Sequence, residues 1–387
     1  MDSKDTSGEK SAPDEVRRLI VCCDGTGNEI AEDQSNVLKF YRTLKQTSSQ
    51  IAFYDPGVGT ISDAGAWSAW KSKAKGVFGL LTGYGLDANI IDAYRFLVRN
   101  WRLGDEIWLF GYSRGAYTVR VLASLIRLVG ILRPHQEHLI RYALTTYKRA
   151  DTEDLPELAY RLNETLRTYR PTIRFVGCWD TVGSVIIPRP DRLYLPSIED
   201  LPGVRRNSSV QAFRHALALD ERRRMFRPTH WDEDQPYNPN PYLKDDNPLV
   251  RPQDVKVVWF SGVHGDVGGG YPESESGAAK HALAWMVEEA REHGLRYRER
   301  MVDRLVYGRN PRNAKRHYVG PDASAPLHRS LRGSWWLLEI MPRWTSLRWA
   351  WRSRNGLRRL FPLGDERRVP PGAQLHGSTA ERKRLSR

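Results

Sequence analysis

The 387-residue sequence predicts an α/β fold built on a doubly wound, mostly parallel sheet. Short apolar runs typical of buried strands alternate with longer segments in which apolar residues recur every three or four positions, as on amphipathic helices. This alternation favours parallel strands joined by crossover helices. Several of the runs end in turns rich in Gly and Asp. Such turns share one rim at the carboxyl ends of the strands, where α/β sheets bind ligands.

Two strands and two helices are predicted before residue 102. A buried strand over 17–23 is followed by a helix that Ser35 is suited to cap, because a serine hydroxyl accepts a bond from a first-turn amide. A short strand over 51–54 and an amphipathic helix over 86–101 come next. The repeated order of strand and helix is that of parallel crossover units.

The stretch that organises the chain covers residues 106–121. Four consecutive apolar residues at 107–110 predict a central strand, the sequence G-Y-S-R-G follows at 111–115, and a helical pattern starts at once. This is the context of a nucleophile elbow, whose strained turn lifts a serine hydroxyl above the sheet. Ser113 is therefore the candidate nucleophile, and the flanking glycines let strand and helix approach closely.

The rest of the chain continues the alternation. The predicted elements are helices over 136–148 and 155–169, a strand over 172–179, a helix over 208–219, a long loop over 232–252, a strand over 255–260 and a helix over 277–293. The expected organisation is a disordered leader at 1–15, a catalytic domain at 16–332 with cap or insert segments at 136–170 and 186–252, and a tail at 333–387 that is partly amphipathic and partly disordered.

Composition excludes several classes of protein. No run of about 18 apolar residues is present, so no membrane-spanning helix is predicted. The polar residues 1–15 lack the apolar core of a secretory signal. Three cysteines (Cys22, Cys23 and Cys178) are too few for a disulfide framework and suit a reducing compartment. We expect a cytoplasmic protein, with association to a membrane left open.

Two later strand ends supply partners for the serine. A serine hydroxyl attacks only when a base takes its proton and an acid orients that base. Asp180 follows the strand over 172–179, and His264 follows the strand over 255–260. Both therefore share a rim with Ser113, in the chain order that α/β-hydrolases use. Alternatives stay open: His215 or His230 as the base, and Asp220 or Asp266 as the acid.

Backbone amides are the expected donors to a developing oxyanion. The amide of Arg114, directly after the nucleophile, is expected to supply one donor. The turn at Gly25 and Thr26 is expected to supply the other, because glycine lets backbone come close to a ligand.

The first turn allows other chemistry to be weighed. It lacks the Lys of a phosphate-binding loop, and Cys22 occupies the position where an aspartyl phosphatase has its nucleophilic Asp. A metal site built from Asp24, His264 and Asp266 stays open, since carboxylate and imidazole ligands suit Mn or Mg. No metal ligand and no other cofactor is assigned.

Six blocks of sequence resemble the α/β-hydrolase family that includes type VI secretion phospholipase effectors. They are LIVCCDGTGN (19–28), YDPGVGT (54–60), GYSRGAY (111–117), CWDTVG (178–183), HALALDERR (215–223) and VHGDVGGGY (263–271). The resemblance implies an α/β-hydrolase fold and esterase or phospholipase A activity. It also implies that Ser113, Asp180 and His264 form the catalytic triad.

The tail carries most of the positive charge. Of the net +14, residues 329–387 contribute +10, so the basic pI does not by itself indicate nucleic-acid binding, and none is expected. Five tryptophans lie among arginines here, namely Trp335, Trp336, Trp344, Trp349 and Trp351, and Trp344, Leu347 and Trp351 share one face at helical spacing. Residues 333–360 could thus contact an anionic membrane surface, or pack over the hydrolase body as an ordinary amphipathic helix. Residues 364–387 are expected to be disordered.

The leading hypothesis is a cofactor-independent serine hydrolase that cleaves carboxyl esters, chiefly of lipids. A second hypothesis is a hydrolase-fold binding module that engages membrane or nucleic acid through the basic tail. A third is a metal-dependent phosphoesterase.

Overall fold

The strands and helices are described by a computed structural model that covers residues 16–25, 33–57, 85–149, 155–183, 186–188, 196–198, 201–240, 243, 246–333, 335–340 and 363–385. Within these ranges the strands are β1 (Arg18–Cys23), β2 (Gln50–Asp55), β3 (Glu106–Tyr112), β4 (Thr172–Trp179), β5 (Ile186–Pro188), β6 (Pro196–Ile198), β7 (Val210–Ala218), β8 (Pro236–Tyr237), β9 (Arg251–Pro252), β10 (Asp254–Phe260) and β11 (Gln374–Leu375). The predicted leader at 1–15, Thr26 and the tryptophans at 344, 349 and 351 lie outside the described residues.

One large sheet organises the described chain. Its strand order is β11-β10-β7-β4-β3-β1-β2, and every neighbouring pair runs parallel. The pairs β5–β6 and β8–β9 are short and antiparallel. The carboxyl ends of β1, β3, β4, β7 and β10 therefore face the same rim, as the sequence predicts for each of these strands except β7.

Helices cover both faces of this sheet. They are α1 (Asn36–Thr43), α2 (Leu86–Asn100), α3 (Arg114–Val129), α4 (Ile140–Arg149), α5 (Leu155–Leu166), α6 (His264–Gly268), α7 (Gly277–Glu292), α8 (Glu299–Leu305), α9 (Trp335–Glu339) and α10 (Gly377–Leu385). Leu19 and Leu109 share a core with α2, α3, α4 and α5, whereas Ile20 and Trp108 share a second core with α1, α7 and α8. Because neighbouring strand residues face opposite ways, both faces of the sheet are apolar. The predicted doubly wound α/β fold is confirmed.

Local signals in the first hundred residues also hold. Ser35 caps α1, and its hydroxyl accepts the amide of Leu38 at 3.1 Å. The helix predicted over 86–101 is α2, which buries Ile90, Ala93 and Tyr94 on one side. A polar cap was sufficient to locate the start of α1, and strong amphipathic periodicity was sufficient to locate α2.

The segment at 208–219 was wrongly predicted as helix. It forms β7, a central strand between β4 and β10. Its alanines favour helix locally, but the strand is buried on both faces and includes the buried polar residues Arg214 and His215. Full burial removes the apolar–polar alternation by which a strand is recognised.

The helices predicted over 136–148 and 155–169 are present as α4 and α5, and both pack against one face of the sheet. Ile140, Leu144 and Leu162 belong to the core that α2 and α3 build. Tyr147 donates its hydroxyl proton to the carbonyl of Pro202 at 2.6 Å. These contacts join α4 and α5 to the core on this face of the sheet. The expectation of a cap or insert over 136–170 stays a prediction.

The expectation of disorder over 364–387 was also wrong for its described part. Leu375 pairs with Trp259, which adds β11 to the sheet beside β10, and α10 follows. The amide of His376 donates to the carbonyl of Trp259 at 2.9 Å. The sequence of this segment is charged and has no helical or strand periodicity, so it gave no local indication of structure. The pairing of β11 with β10 joins residues more than a hundred positions apart.

Three thiols are buried in the sheet. Cys22 and Cys23 lie in β1 and Cys178 lies in β4, and all three are free. Burial raises the pKa of the Cys178 thiol to about 11. No helix in the described ranges is both long and apolar enough to cross a membrane.

Candidate active site

Ser113 occupies a sharp turn between β3 and α3. Its φ of 56° and ψ of −119° are a conformation that side-chain-bearing residues rarely adopt. The turn is possible because β3 and α3 nearly touch. A Cβ at Gly111 would lie 2.4 Å from the carbonyl oxygen of Gly115, and a Cβ at Gly115 would lie 2.0 Å from the carbonyl oxygen of Cys23. Both glycines of the motif are therefore required for the elbow to form.

Three side chains predicted from separate strand ends meet at this turn. The Nε2 atom of His264 lies 2.8 Å from the Oγ atom of Ser113. The Nδ1 atom of the same ring lies 2.5 Å from Oδ2 of Asp180. A hydroxyl, an imidazole and a carboxylate connected in this order by hydrogen bonds are the arrangement that activates a serine in unrelated hydrolases.

His264 is packed so that its ring keeps one orientation. The ring stacks on Tyr112 with centroids 4.7 Å apart and meets the edge of Phe226 at 4.8 Å. Burial lowers the pKa of His264 from its ordinary value, although the hydrogen bond and charge of Asp180 oppose this. The imidazole is therefore neutral near pH 7 and has the protonation state that a general base needs.

Asp180 is fully buried and still ionised. Burial alone would raise the pKa of Asp180, but the guanidinium of Arg367 and the hydrogen bond from His264 hold it well below the usual range. The Oδ1 atom also accepts the amide of Ala218 at 3.0 Å. A fixed, charged carboxylate beside Nδ1 keeps the Nδ1–H tautomer, which leaves Nε2 free to accept a proton.

The rival bases have different partners. His215 lies in β7, where its Nε2 accepts the amide of Thr181 at 3.1 Å. Burial lowers the pKa of His215 well below its ordinary value, so the ring is a neutral core group. The ring centroid of His230 lies 6.2 Å from that of Trp259, and burial lowers the pKa of His230 to about 4.

The rival acids also serve other contacts. Asp220 accepts the amide of Gly262 at 2.6 Å. Asp266 accepts the amide of Val263 at 3.0 Å and bonds the Nδ1 atom of His328 at 2.6 Å. Both carboxylates shape the loop that carries His264, and neither bonds to its ring.

The two expected oxyanion donors differ in their hydrogen bonding. The amide of Arg114 is in the first turn of α3, where backbone N–H groups have no partner within the helix. The amide of Gly25 donates to Oδ1 of Asp24 at 2.6 Å, so this donor is already engaged. Thr26 lies outside the described residues.

The side chains of the hypothesised metal site do not converge. Asp24 accepts the hydroxyl of Tyr54 at 2.7 Å and bonds the hydroxyl of Ser35. Asp266 bonds His328, and His264 bonds Asp180. Among the residues that the structure describes, no group of three His, Cys, Asp or Glu side chains is arranged to hold a metal ion.

Comparison with known proteins settles the family. Residues 17–289 match the family model described as T6SS, phospholipase effector Tle1-like, catalytic domain. The chain belongs to this Tle1-like family. The matched residues contain Ser113, Asp180 and His264, together with all the strands of the sheet except β11.

Relatives of this Tle1-like chain extend well beyond it. It is 33% identical over 226 residues to the uncharacterized protein YEL023C of Saccharomyces cerevisiae, covering 54% of the chain and 32% of the yeast protein. An uncharacterized protein from Pseudomonas aeruginosa shows 18% identity and a TM-score of 0.37, over 73% of this chain and 46% of that one. The Tle1 effector bound to the VgrG spike shows 20% identity and a TM-score of 0.31, over 68% and 53%. The chain thus spans about a third of the yeast relative and about half of each solved protein.

Two charged residues that border the site were missed from the sequence. Arg367 bonds Asp180 from beyond the residues that match the Tle1-like model. Glu221 accepts the amide of His264 at 3.2 Å and pairs with Arg223 at 2.9 Å. Arg367 lies in a run of charges that looks solvated, and no local pattern distinguishes a buried arginine from an exposed one.

Proposed function

We propose that the chain is a serine hydrolase that cleaves carboxyl esters of phospholipids without a cofactor. The single observation that carries the proposal is the continuous contact from the Ser113 hydroxyl through the His264 ring to the Asp180 carboxylate. Membership of a family described by its phospholipase effectors supports a lipid ester as the substrate.

The geometry supports a two-step reaction. The Oγ atom of Ser113 attacks the ester carbonyl while Nε2 of His264 takes its proton, which gives a tetrahedral oxyanion. The amide of Arg114 stabilises the oxyanion, together with a second amide that we assign to the turn at Gly25 and Thr26. The amide of Gly25 must leave Asp24 to take this role. His264 then protonates the leaving alcohol as the ester C–O bond breaks, which leaves the acyl group bound to Ser113. His264 next takes a proton from a water molecule, which attacks this acyl group, and the acid is released as the proton returns to the Oγ atom of Ser113.

Replacement of the nucleophile tests this mechanism. Ser113→Ala is expected to lower turnover of a short-chain nitrophenyl ester by about 10⁶, because base and acid have nothing to activate. A fluorophosphonate probe should label the native protein and not the variant. Ser324→Ala removes an exposed hydroxyl bound to Asp322 and should leave both readouts unchanged. Equal turnover by Ser113→Ala and the native protein would refute the proposal.

The partner that we propose for α9 is an anionic lipid surface. Trp335 packs on Phe226, which contacts His264, while Trp336, Leu337 and Ile340 are exposed beside it. In the sequence this apolar segment is flanked by Arg332 and Arg343, and apolar side chains next to basic ones suit insertion among anionic headgroups. The described part of the predicted membrane segment 333–360 thus lies against the site.

Vesicles provide the test of this contact. Changing Trp336 and Leu337 to Ser should weaken binding to anionic vesicles several-fold, since each exposed apolar side chain loses its burial in lipid. Turnover of the water-soluble ester should stay at the native level. Unaltered binding to vesicles by this variant would show that α9 does not contact lipid.

A further inference from the structure

Arg367 is buried against the acid of the candidate triad. Its Nη1 and Nη2 atoms contact Oδ1 and Oδ2 of Asp180 at 2.5 and 2.9 Å. The same two nitrogens donate to the carbonyls of Ala218, at 2.8 Å, and Phe226, at 2.5 Å. Two parallel charge-assisted bonds fix both the position and the plane of a carboxylate. The Arg367 side chain is 2% exposed, so the pair is shielded from solvent.

The segment that carries Arg367 is held on the sheet independently of this pair. Strand β11 pairs with β10, and the hydroxyl of Thr379 accepts the amide of Ser261 at 3.2 Å. The guanidinium of Arg382 donates to the carbonyls of Ala323 and Ala325 at 2.5 Å each. These contacts anchor residues 363–385 to the sheet and to the loop before α9. Arg367 therefore reaches Asp180 from a fixed platform.

We propose that Arg367 is a positioning residue of the triad, which orients the Asp180 carboxylate and balances its charge so that His264 begins each cycle as a neutral base. This inference rests on the proposed function and adds a residue to it from outside the part of the chain that matches the family model.

The charges around the pair identify Arg367 as the balancing cation. Glu221 lies beside His264 but is paired with Arg223, so these two charges largely cancel. Tyr112 and His215, from β3 and β7, are neutral near pH 7 because burial raises the pKa of Tyr112 and lowers the pKa of His215. Among the described residues in direct contact with Asp180 or His264, this leaves the charges of Asp180 itself and of Arg367.

Asp180 and His264 titrate as one unit because they share a short hydrogen bond. The active form has the carboxylate ionised and the imidazole neutral. Loss of the Arg367 charge favours uptake of a proton by the unit, whether the proton goes to the imidazole or to the carboxylate. The acid limb of the kcat/KM profile, which reports this proton, must then move to higher pH.

The decisive experiment compares Arg367→Met with Arg367→Lys on a water-soluble short-chain ester. Arg367→Met is expected to move the acid limb up by about one pH unit or more, the usual effect of an opposite charge in direct contact. Arg367→Lys retains the charge but not the two-pronged contact. It should keep the acid limb near that of the native protein and lower kcat. An unmoved acid limb in Arg367→Met would overturn the proposal.

A matched control separates positioning from folding. Arg382→Met removes a partly buried arginine contact in the same segment, one that does not touch Asp180. It should lower Tm without moving the acid limb. If Arg367→Met does not fold, the pH profile of kcat/KM for the native protein serves as the test. With the charge of Asp180 balanced by Arg367, the acid limb of that profile should lie below the ordinary histidine pKa of about 6.5. A native limb above that value would refute the inference.

The inference and the proposed function fail in different ways. Absence of ester turnover and of fluorophosphonate labelling in the native protein would reject the serine hydrolase itself. Normal turnover and labelling, with the same acid limb in the native protein and Arg367→Met, would reject only the role of Arg367.

Discussion

Individual side chains at the rim differ in what the sequence could say about them. Ser113, Asp180 and His264 each follow an apolar run, so strand ends and chain order were enough to expect them together. Arg367 and the bond from the Gly25 amide to Asp24 could not be foreseen. The contact of Arg367 spans 187 positions of the chain, and a charged residue in a polar stretch carries no sign that it will be buried. The bond between Gly25 and Asp24 is local, but a glycine-containing turn has too many accessible conformations for a pattern to specify it.

A substitution of the acid follows at this scale. Asp180→Asn is expected to lower kcat for a soluble ester by about 10⁴, because the amide favours the wrong tautomer of His264. The rival Asp220 provides the control, since its carboxylate bonds the amide of Gly262 and not the imidazole. Asp220→Asn should retain most of the activity. Comparable losses in both variants would show that the acid had been misassigned.

At the scale of elements, close backbone contacts decide what the site tolerates. Helix α3 approaches the end of β1 at Gly115, where the nearest atoms belong to the carbonyls of Cys23 and Asp24. The motif made this contact predictable, because G-x-S-x-G between strand and helix has one known geometry. The central strand β7 was not predictable. It is buried on both faces, so its sequence lacks the alternation of apolar and polar residues that marks a strand, and its alanines favour helix.

Adding one methyl group at this contact should therefore be costly. Gly115→Ala is expected to lower the free energy of unfolding by about 2 to 3 kcal/mol, because a backbone carbonyl cannot move aside as a side chain can. Gly377→Ala is the matched control, since a Cβ there meets no atom within 4 Å. It should change stability by less than about 0.5 kcal/mol. Urea denaturation of both variants measures the difference, and equal stabilities would contradict the geometry.

Across the whole molecule, the sequence predicted a parallel sheet with helices on both faces. It did not predict how α1 and α7, which cover the same face, are held to each other. Lys39 of α1 and Lys280 of α7 both contact the carboxylate of Glu273 at 2.7 Å, and both lysines are buried. Burial, with the nearby charge of Lys39, lowers the pKa of Lys280 to about 7. Strand order and such buried clusters arise from long-range packing that no local pattern encodes.

This cluster predicts a dependence of stability on pH. The folded pKa of Lys280 is below that of the unfolded chain, so the unfolded state binds more protons between about pH 7 and 10.5. The free energy of unfolding should therefore rise by about 1 kcal/mol or more from pH 7 to 9. Urea titrations of Lys280→Met should lack this rise. Lys256→Met, which removes a half-exposed lysine bound to Glu289, should keep it. A native stability that is flat over this range would contradict the prediction.

The three thiols enclosed by β1 and β4 have a practical consequence. A thiol-alkylating reagent added to the folded protein meets no accessible cysteine, so each labelling event records a transient separation of the strands. The rate of cysteine modification therefore measures how often the sheet opens. Reagents directed at an activated serine will not be confounded by these sulfurs, and both reactions can be followed in the same sample.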